Sequence, residues 1–362
     1  MGRITVMSAG NGGQALAGDL ALGGHDVTLY EHPLFESKIK AIRERGNVIE
    51  LENKVAGRGR LANSTTDAAE ALAGAELVYF TAPSYAQEPF FELASPHFRD
   101  GQVLVLSPGN FGTFALHRAF AEAGRRVLVA ETDNLPYACV SPEPGRVDVK
   151  GVKKSVTLAA LPNSEYARVE AAVKGAFCTA VVKGENVLQT SLSNTNSIAH
   201  CGPMLMNAGR IEDGKAKFRF YAEGMPPSVC RVMEAADRER IAVGAALGLK
   251  LASTYETIRT QYGVDGRDLH EVIHANPTFG GIDAPSTLEH RFLTEDTPFS
   301  MVPLAALGRL AGVPTPATDA LVCLLGIATG HDFPGTGPGL EKMGLSGMSL
   351  EQIRRFVNGE GR

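Results

Sequence analysis

The sequence predicts an α/β domain, built on a mostly parallel sheet over residues 1–184, followed by an all-helical domain over residues 185–362. Three observations predict this. A strand, a glycine turn and a helix open the chain at residues 3–22. Strand-like and helix-like segments then alternate as far as residue 184. Beyond it nearly every segment repeats its apolar residues at helical spacing. A length of 362 residues also suits two domains better than one large core.

Residues 3–8 alternate apolar and polar side chains and run straight into Gly10-Asn11-Gly12-Gly13-Gln14-Ala15. Ala15, Leu16, Ala17, Leu20, Ala21 and Leu22 then recur as on a helix. Gly10 allows the tight turn, Gly12 lets backbone N–H groups approach a pyrophosphate, and Ala15 lets helix and strand pack closely. The helix N-terminus adds partial positive charge for that anion. A second strand, 26–30, ends at Glu31, roughly 20 residues after Gly10, where a carboxylate accepts hydrogen bonds from both ribose hydroxyls of an adenosine. An ordinary βαβ unit would leave Glu31 in solvent. The strands on both sides and the acid at that distance together point to a Rossmann-type dinucleotide site.

The remaining elements follow in order. An amphipathic helix spans 34–45, with short β-like pieces around Val48 and Val55, and Ser64-Thr65-Thr66 reads as a cap for a helix at 67–73. Strands at 77–81, 103–106 and 127–130 alternate with helices at 89–98 and 111–123. Ligands of such sheets bind at the carboxyl ends of the strands, so the turns at Gly10, Ala82-Pro83 and Ser107 are expected to line one cleft. Residues 137–161 read as extra strands, with Pro142, Pro144 and Gly145 marking a hairpin. A helix at 165–176 and a strand at 179–182 complete the domain. The helical half reads as 186–208, 227–247, 253–262, 267–275, 297–311, 315–329 and 349–357, the last opened by a capping-box pattern, Ser349-Leu350-Glu351-Gln352.

Composition excludes several classes. A formal net charge of −5 gives no reason to expect a nucleic-acid or anionic-membrane partner. No apolar run approaches the roughly 20 residues needed to span a bilayer. The five cysteines are scattered without a CxxC pair, which reads as reduced thiols in a cytoplasm and as no metal site. With the first strand read from residue 3, no signal peptide is expected.

The chemistry concentrates in the helical half. Within 193–212, SNTNSIAHCGPMLMNAGRIE, Asn196, His200 and Asn207 fall on one helical face among apolar neighbours. A buried stripe of three polar groups needs partners, so it asks for a ligand or a network; a core histidine satisfied by a carbonyl is the alternative. Pro203 removes the hydrogen bond to the Ala199 carbonyl and kinks the helix. A second cluster, 289–298, reads EHRFLTEDTP. There Asp296 and Thr297 are expected either to cap the next helix or to belong to a site, and Arg291 is either a surface charge or a ligand.

On GNGGQA at 10–15, NTNSIAHCGPMLMNAGRIE at 194–212 and RFLTEDTPF at 291–299, the chain resembles the opine dehydrogenases of the octopine, nopaline and N-(1-carboxyethyl)-norvaline type, over nearly its whole length. Where that family commonly has His-Pro, this chain has His200-Cys201-Gly202-Pro203. The resemblance implies an N-terminal dinucleotide-binding domain, a helical C-terminal domain, and reduction by NADH or NADPH of the imine formed between a 2-oxo acid and an amino acid. It also implies that His200 is the catalytic histidine, Asp296 its carboxylate partner and Arg291 a ligand of the oxo acid carboxylate. Asn194 and Asn196 would orient substrate or the nicotinamide amide.

These side chains suit that chemistry. A histidine donates a proton to the oxygen or nitrogen where charge develops and helps expel water from the carbinolamine. A carboxylate on its other nitrogen fixes the tautomer and favours the imidazolium. A guanidinium fork matches a carboxylate. NAD(H) is expected in preference to NADP(H), because Glu31 opposes a 2′-phosphate and no arginine follows in Tyr30-Glu31-His32-Pro33. The competing readings are a ketopantoate-type or other 2-oxo acid reductase with Lys183 as proton donor, and a nucleotide-sensing subunit. A cytoplasmic homodimer acting on small molecules completes the expectation.

Overall fold

The computed structural model describes residues 2–214 and 217–360. It divides into two compact units: residues 1–190 together with the chain from Phe356 on, and Ser191–Arg355.

The strands of the first unit are β1 (Arg3–Met7), β2 (Asp26–Tyr30), β3 (Val48–Asn53), β4 (Gly57–Arg60), β5 (Asn63–Thr65), β6 (Leu77–Phe80), β7 (Val103–Leu106), β8 (Leu128–Thr132), β9 (Tyr137–Glu143), β10 (Arg146–Val152), β11 (Ser155–Leu161) and β12 (Ala180–Lys183). Eight of them form one sheet in the order β12-β11-β8-β7-β6-β1-β2-β5. Every neighbouring pair is parallel except β8 with β11. The short β6 and β7 are buried at every position, as strands covered on both faces must be.

The extra strands divide between two sheets. β9 and β10 join β3 and β4 in a second, four-stranded sheet, β4-β3-β10-β9, while β11 enters the main one. Gly145, with φ of +87°, turns the hairpin between β9 and β10. Helix Asn11–Leu22 packs against strands of both sheets, which is why it is apolar nearly all round instead of amphipathic. Its approach to the second sheet needs glycine: a Cβ on Gly59 would lie 2.2 Å from the Gly18 carbonyl oxygen.

Three local expectations are corrected. Ser64 and Thr65 belong to the edge strand β5; the cap is Asp67, whose Oδ1 accepts from the N–H groups of Ala69 and Glu70 at 2.8 and 3.0 Å. The helix expected over 186–208 is two helices, Val187–Ser193 and Asn196–Met206. Asn194 breaks it, its Oδ1 accepting from the Asn196 N–H at 3.0 Å, a side-chain bond that replaces helical backbone. The segment after Asp296 opens with a π-turn, Thr297–Met301, before helix Val302–Ala311.

Helix Val187–Ser193 begins on the first unit, where Asn186 meets Asn358 at 3.2 Å and the Thr190 hydroxyl meets Glu131 at 2.7 Å. The compact division therefore falls at residue 190, beyond the 184 expected from the change of periodicity. Among its described residues the second unit holds helices and no strand, with one isolated bridge between Arg219 and Asp283. Helix Asn196–Met206 lies against Pro227–Ala246, Arg291–Thr294 and Pro316–Thr329, sharing a core of Ile198, Met204, Met233, Leu293 and Leu321. The capping box at Ser349 forms: its N–H donates to Gln352 Oε1 at 2.8 Å and its hydroxyl accepts from the Gln352 N–H at 3.3 Å.

Candidate active site

In the first unit the glycine turn leads from the carboxyl end of β1 into helix Asn11–Leu22, beside the carboxyl end of β6. Ser8 leaves β1 with φ of +97°, and its hydroxyl accepts from the Gly10 N–H at 3.2 Å. A Cβ on Gly13 would stand 1.8 Å from the Ser8 carbonyl oxygen and 2.8 Å from Thr81 Oγ1. Gly13 is therefore the residue that lets the helix meet the strands, whereas a Cβ on Gly12 would run into the Leu135 side chain. Gly10, as N-cap, places no side chain on the first-turn N–H groups of helix Asn11–Leu22. Those donors and the helix dipole make a cradle that fits a pyrophosphate.

The side chains in the motif hold the turn itself. Asn11 Oδ1 accepts from the Ser141 N–H at 3.1 Å, and Gln14 bridges the Ala9 carbonyl at 2.9 Å and the Gly145 N–H at 2.7 Å. Ala15 is fully buried. Glu31 is buried, its two oxygens accepting from the N–H groups of Ala9 at 2.9 Å and His32 at 2.8 Å, with Lys38 Nζ at 3.4 Å. Its carboxylate is thus pinned at the end of β2, where the sequence places it. Ala82 is buried and Pro83 half-buried just past β6. One acid escaped the sequence reading. Glu131, fully buried in β8, accepts from Thr113 at 2.8 Å and Thr190 at 2.7 Å and stands against Gly109. A carboxylate directly after the apolar run 127–130 was the available signal.

In the second unit two distant segments converge. His200, 7% exposed on helix Asn196–Met206, places Nδ1 2.6 Å from Asp296 Oδ2. Asp296 makes no capping bond to the turn it precedes, so the capping alternative gives way to the pairing. The carboxylate accepts from Nδ1–H, and Nε2 meets the Tyr221 hydroxyl at 2.9 Å. Phe292 stacks on the imidazole at 3.7 Å and 11°, fixing the ring plane between the two hydrogen bonds. Tyr221 is in turn stacked on Phe279 at 4.4 Å and set edge-on to Phe220. Burial, then the neighbouring Tyr262 and Asp296, push its phenol far above the ordinary value. Nothing in the spacing of residues 218–221 announced this tyrosine; they are simply rich in aromatics.

Arg291 lies one turn before Glu295, and its Nη2 and Nε reach Glu295 Oε2 at 2.7 and 3.1 Å. The guanidinium side chain is 52% exposed while Glu295 is 3% exposed. The carboxylate therefore anchors an arginine that still faces outward. His290, beside it, has its pKa lowered by burial, then by His200 and Arg291. Asn194 is buried just before the helix that carries His200, whereas Asn196, its first residue, is half-buried. Asn207 is structural: its Nδ2 donates to the carbonyls of Pro203 at 2.9 Å and Gly224 at 2.8 Å. Lys183, on β12 of the first unit, is exposed, with its ammonium 4.9 Å over the Tyr166 ring.

A histidine paired to a carboxylate within a buried aromatic setting can hold and deliver a proton, and an outward arginine can fix an anion. Comparison with known proteins gives this geometry a setting. Residues 183–329 match the family described as NAD/NADP octopine/nopaline dehydrogenase, alpha-helical domain. The chain is 34% identical over 354 residues to an opine dehydrogenase of Arthrobacter sp. (strain 1C), covering 97% of this chain and 98% of that protein. It is 27% identical to the protein ocs of Agrobacterium tumefaciens (strain Ach5), over 99% of this chain and the whole of the other. Its fold resembles that of an octopine dehydrogenase solved with NADH and L-arginine, with a TM-score of 0.79, 22% identity and coverage of 100% and 99%. On its kinship with the Arthrobacter enzyme from end to end, this chain belongs to the opine dehydrogenase family.

Proposed function

We propose that the protein is a nicotinamide-dependent oxidoreductase that condenses a 2-oxo acid with the amino group of an amino acid, giving an N-(carboxyalkyl) amino acid. The observation that carries the reading is the buried His200–Asp296 pair, 2.6 Å apart, within a chain of this family. Bound at the glycine turn, the nicotinamide cofactor supplies the hydride. His200 delivers a proton to the departing oxygen of the carbinolamine, so that water leaves and the iminium carbon is ready for reduction. Asp296 holds the imidazole in the tautomer this requires and stabilises its cationic form. Arg291, steadied by Glu295, binds the oxo acid carboxylate. Asn194 and Asn196 orient the substrates beside His200.

NADH oxidation with an oxo acid alone, and then with an amino acid added, tests the reading. It predicts that both are required. Fast oxidation unchanged by amines would favour the simple reductase, with Lys183 as donor.

Arg291→Ala should raise KM for the oxo acid by about 10- to 100-fold, the worth of one charge-assisted contact, with a smaller effect on the amino acid. Because the change also leaves Glu295 buried without its guanidinium, Arg291→Lys serves as the folded control. An unchanged KM in both variants would clear Arg291 of the role. For the cofactor, the pinned Glu31 carboxylate opposes a 2′-phosphate, so kcat/KM should favour NADH over NADPH by roughly tenfold or more. Glu31→Gln should narrow that ratio. Equal kcat/KM for the two cofactors in the wild type contradicts the expectation.

The reading includes a cytoplasmic homodimer. Among the described residues no helix is long and apolar enough to cross a membrane, and the five cysteines are free thiols. Helix Pro316–Thr329 leaves Leu324 50% and Ile327 74% exposed, an apolar pair of the kind a second copy covers.

A further inference from the structure

The atom of His200 that must give up the proton already has a partner. With Nδ1 bound to Asp296, the proton leaves from Nε2, and Nε2 lies 2.9 Å from the Tyr221 hydroxyl. Both rings are held. Phe292 covers one face of the imidazole at 3.7 Å. Tyr221 lies flat on Phe279 at an interplanar angle of 13° and edge-on to Phe220 at 89°. Tyr221 is 7% exposed, so swinging it aside would break two aromatic contacts and bare a buried ring. Passing the proton through its oxygen needs no such movement. Resting on the function proposed above, we propose that Tyr221 is the terminal proton relay of the site, standing between His200 and the substrate.

The step balances without an ionised tyrosine. The Tyr221 hydroxyl gives its hydrogen to the carbinolamine oxygen as the C–O bond breaks and water leaves. In the same event Nε2–H of His200 replaces that hydrogen on the phenol oxygen. The imidazolium becomes imidazole and the phenol ends as it began. A phenol surrounded in this way is a poor acid on its own, since burial and Asp296 disfavour the phenolate. That suits a relay driven by the imidazolium and disfavours an independent donor. The other titratable groups facing this pair are Tyr262, behind Phe279, and His290 with Arg291 on the segment carrying Phe292.

Tyr221→Phe removes the oxygen and keeps the stacking. Three readouts on the full chain test the relay. In single-turnover NADH oxidation the variant should be slower by roughly 10²-fold, with NADH affinity and thermal midpoint near wild type. The rate in mixtures of light and heavy water should bow for wild type, where two protons move together, and become linear for the variant. In protein carrying ¹⁵N-histidine and no cofactor, the His200 Nε2 resonance should shift in the variant as its hydrogen bond is lost. If Tyr221→Phe does not fold, 3,5-difluorotyrosine at 221 keeps the shape and acidifies the phenol. The relay then predicts a single-turnover rate that differs from wild type with the bowed isotope dependence kept, and a rate unchanged by the fluorines overturns it. Turnover at or above wild type in folded Tyr221→Phe, with the bowed isotope dependence intact, also overturns it. His200→Ala run alongside separates the two claims. If that variant retains wild-type rate, the function proposed for His200 fails; if it is inactive while Tyr221→Phe is unimpaired, only the relay fails.

Discussion

Replacing His200 by alanine should lower kcat by about 10²- to 10⁴-fold, the usual worth of a positioned general acid. NADH affinity should survive, because the glycine turn belongs to a different compact unit, within residues 1–190. Stability should fall modestly. Asp296 is 4% exposed, and its carboxylate would lose a 2.6 Å partner, a loss of order 1–3 kcal/mol. A histidine kept only for packing would show the opposite pattern: a lower thermal midpoint with turnover per folded molecule nearly intact. Measuring kcat on the folded fraction beside the thermal midpoint distinguishes the two. Wild-type turnover in folded His200→Ala would transfer the role of donor to Lys183.

Asp296→Asn is the second large effect. The amide keeps the size of the side chain but carries no charge to stabilise the imidazolium, and its N–H₂ can force the proton off Nδ1. A loss of 10²-fold or more in kcat is expected, by analogy with the tautomer error known for carboxylate-to-amide changes beside catalytic histidines. The double variant should be scarcely worse than His200→Ala alone, since the residues act as one unit. Fully multiplied losses, measured as kcat for the two single variants and the double variant, would mean that Asp296 acts independently of the histidine.

Much of this arrangement is legible along the chain. Apolar strands at 77–81 and 103–106 could only be buried, and the glycine turn followed by a mostly apolar helix marks the start of the main sheet. The second sheet is harder to read because β4, Gly57–Arg60, consists of glycine and arginine; it pairs by backbone with β3 and packs against helix Asn11–Leu22, where Gly18 lets it come close. The break at Asn194 was hidden since helical periodicity persists on both sides of it. His200 and Asn196 share a helical face, so a polar site is visible there. Its partner is not, because Asp296 lies 96 residues away in a sequence that serves equally well as a helix cap. Family resemblance supplied that pairing, and the fold brings the atoms together. Tyr221 had neither periodicity nor motif to mark it, and only packing against Phe279 and Phe220 reveals its place.

The central claim is that the reduced carbon becomes bonded to nitrogen. Incubation with NADH deuterated at the transferred position, a 2-oxo acid and an amino acid, followed by mass spectrometry of the product, tests it directly. The account predicts a secondary amine joining both substrates, with one deuterium on the carbon that came from the oxo acid and loss of one water. A deuterated 2-hydroxy acid, with the amino acid recovered unchanged, would contradict it.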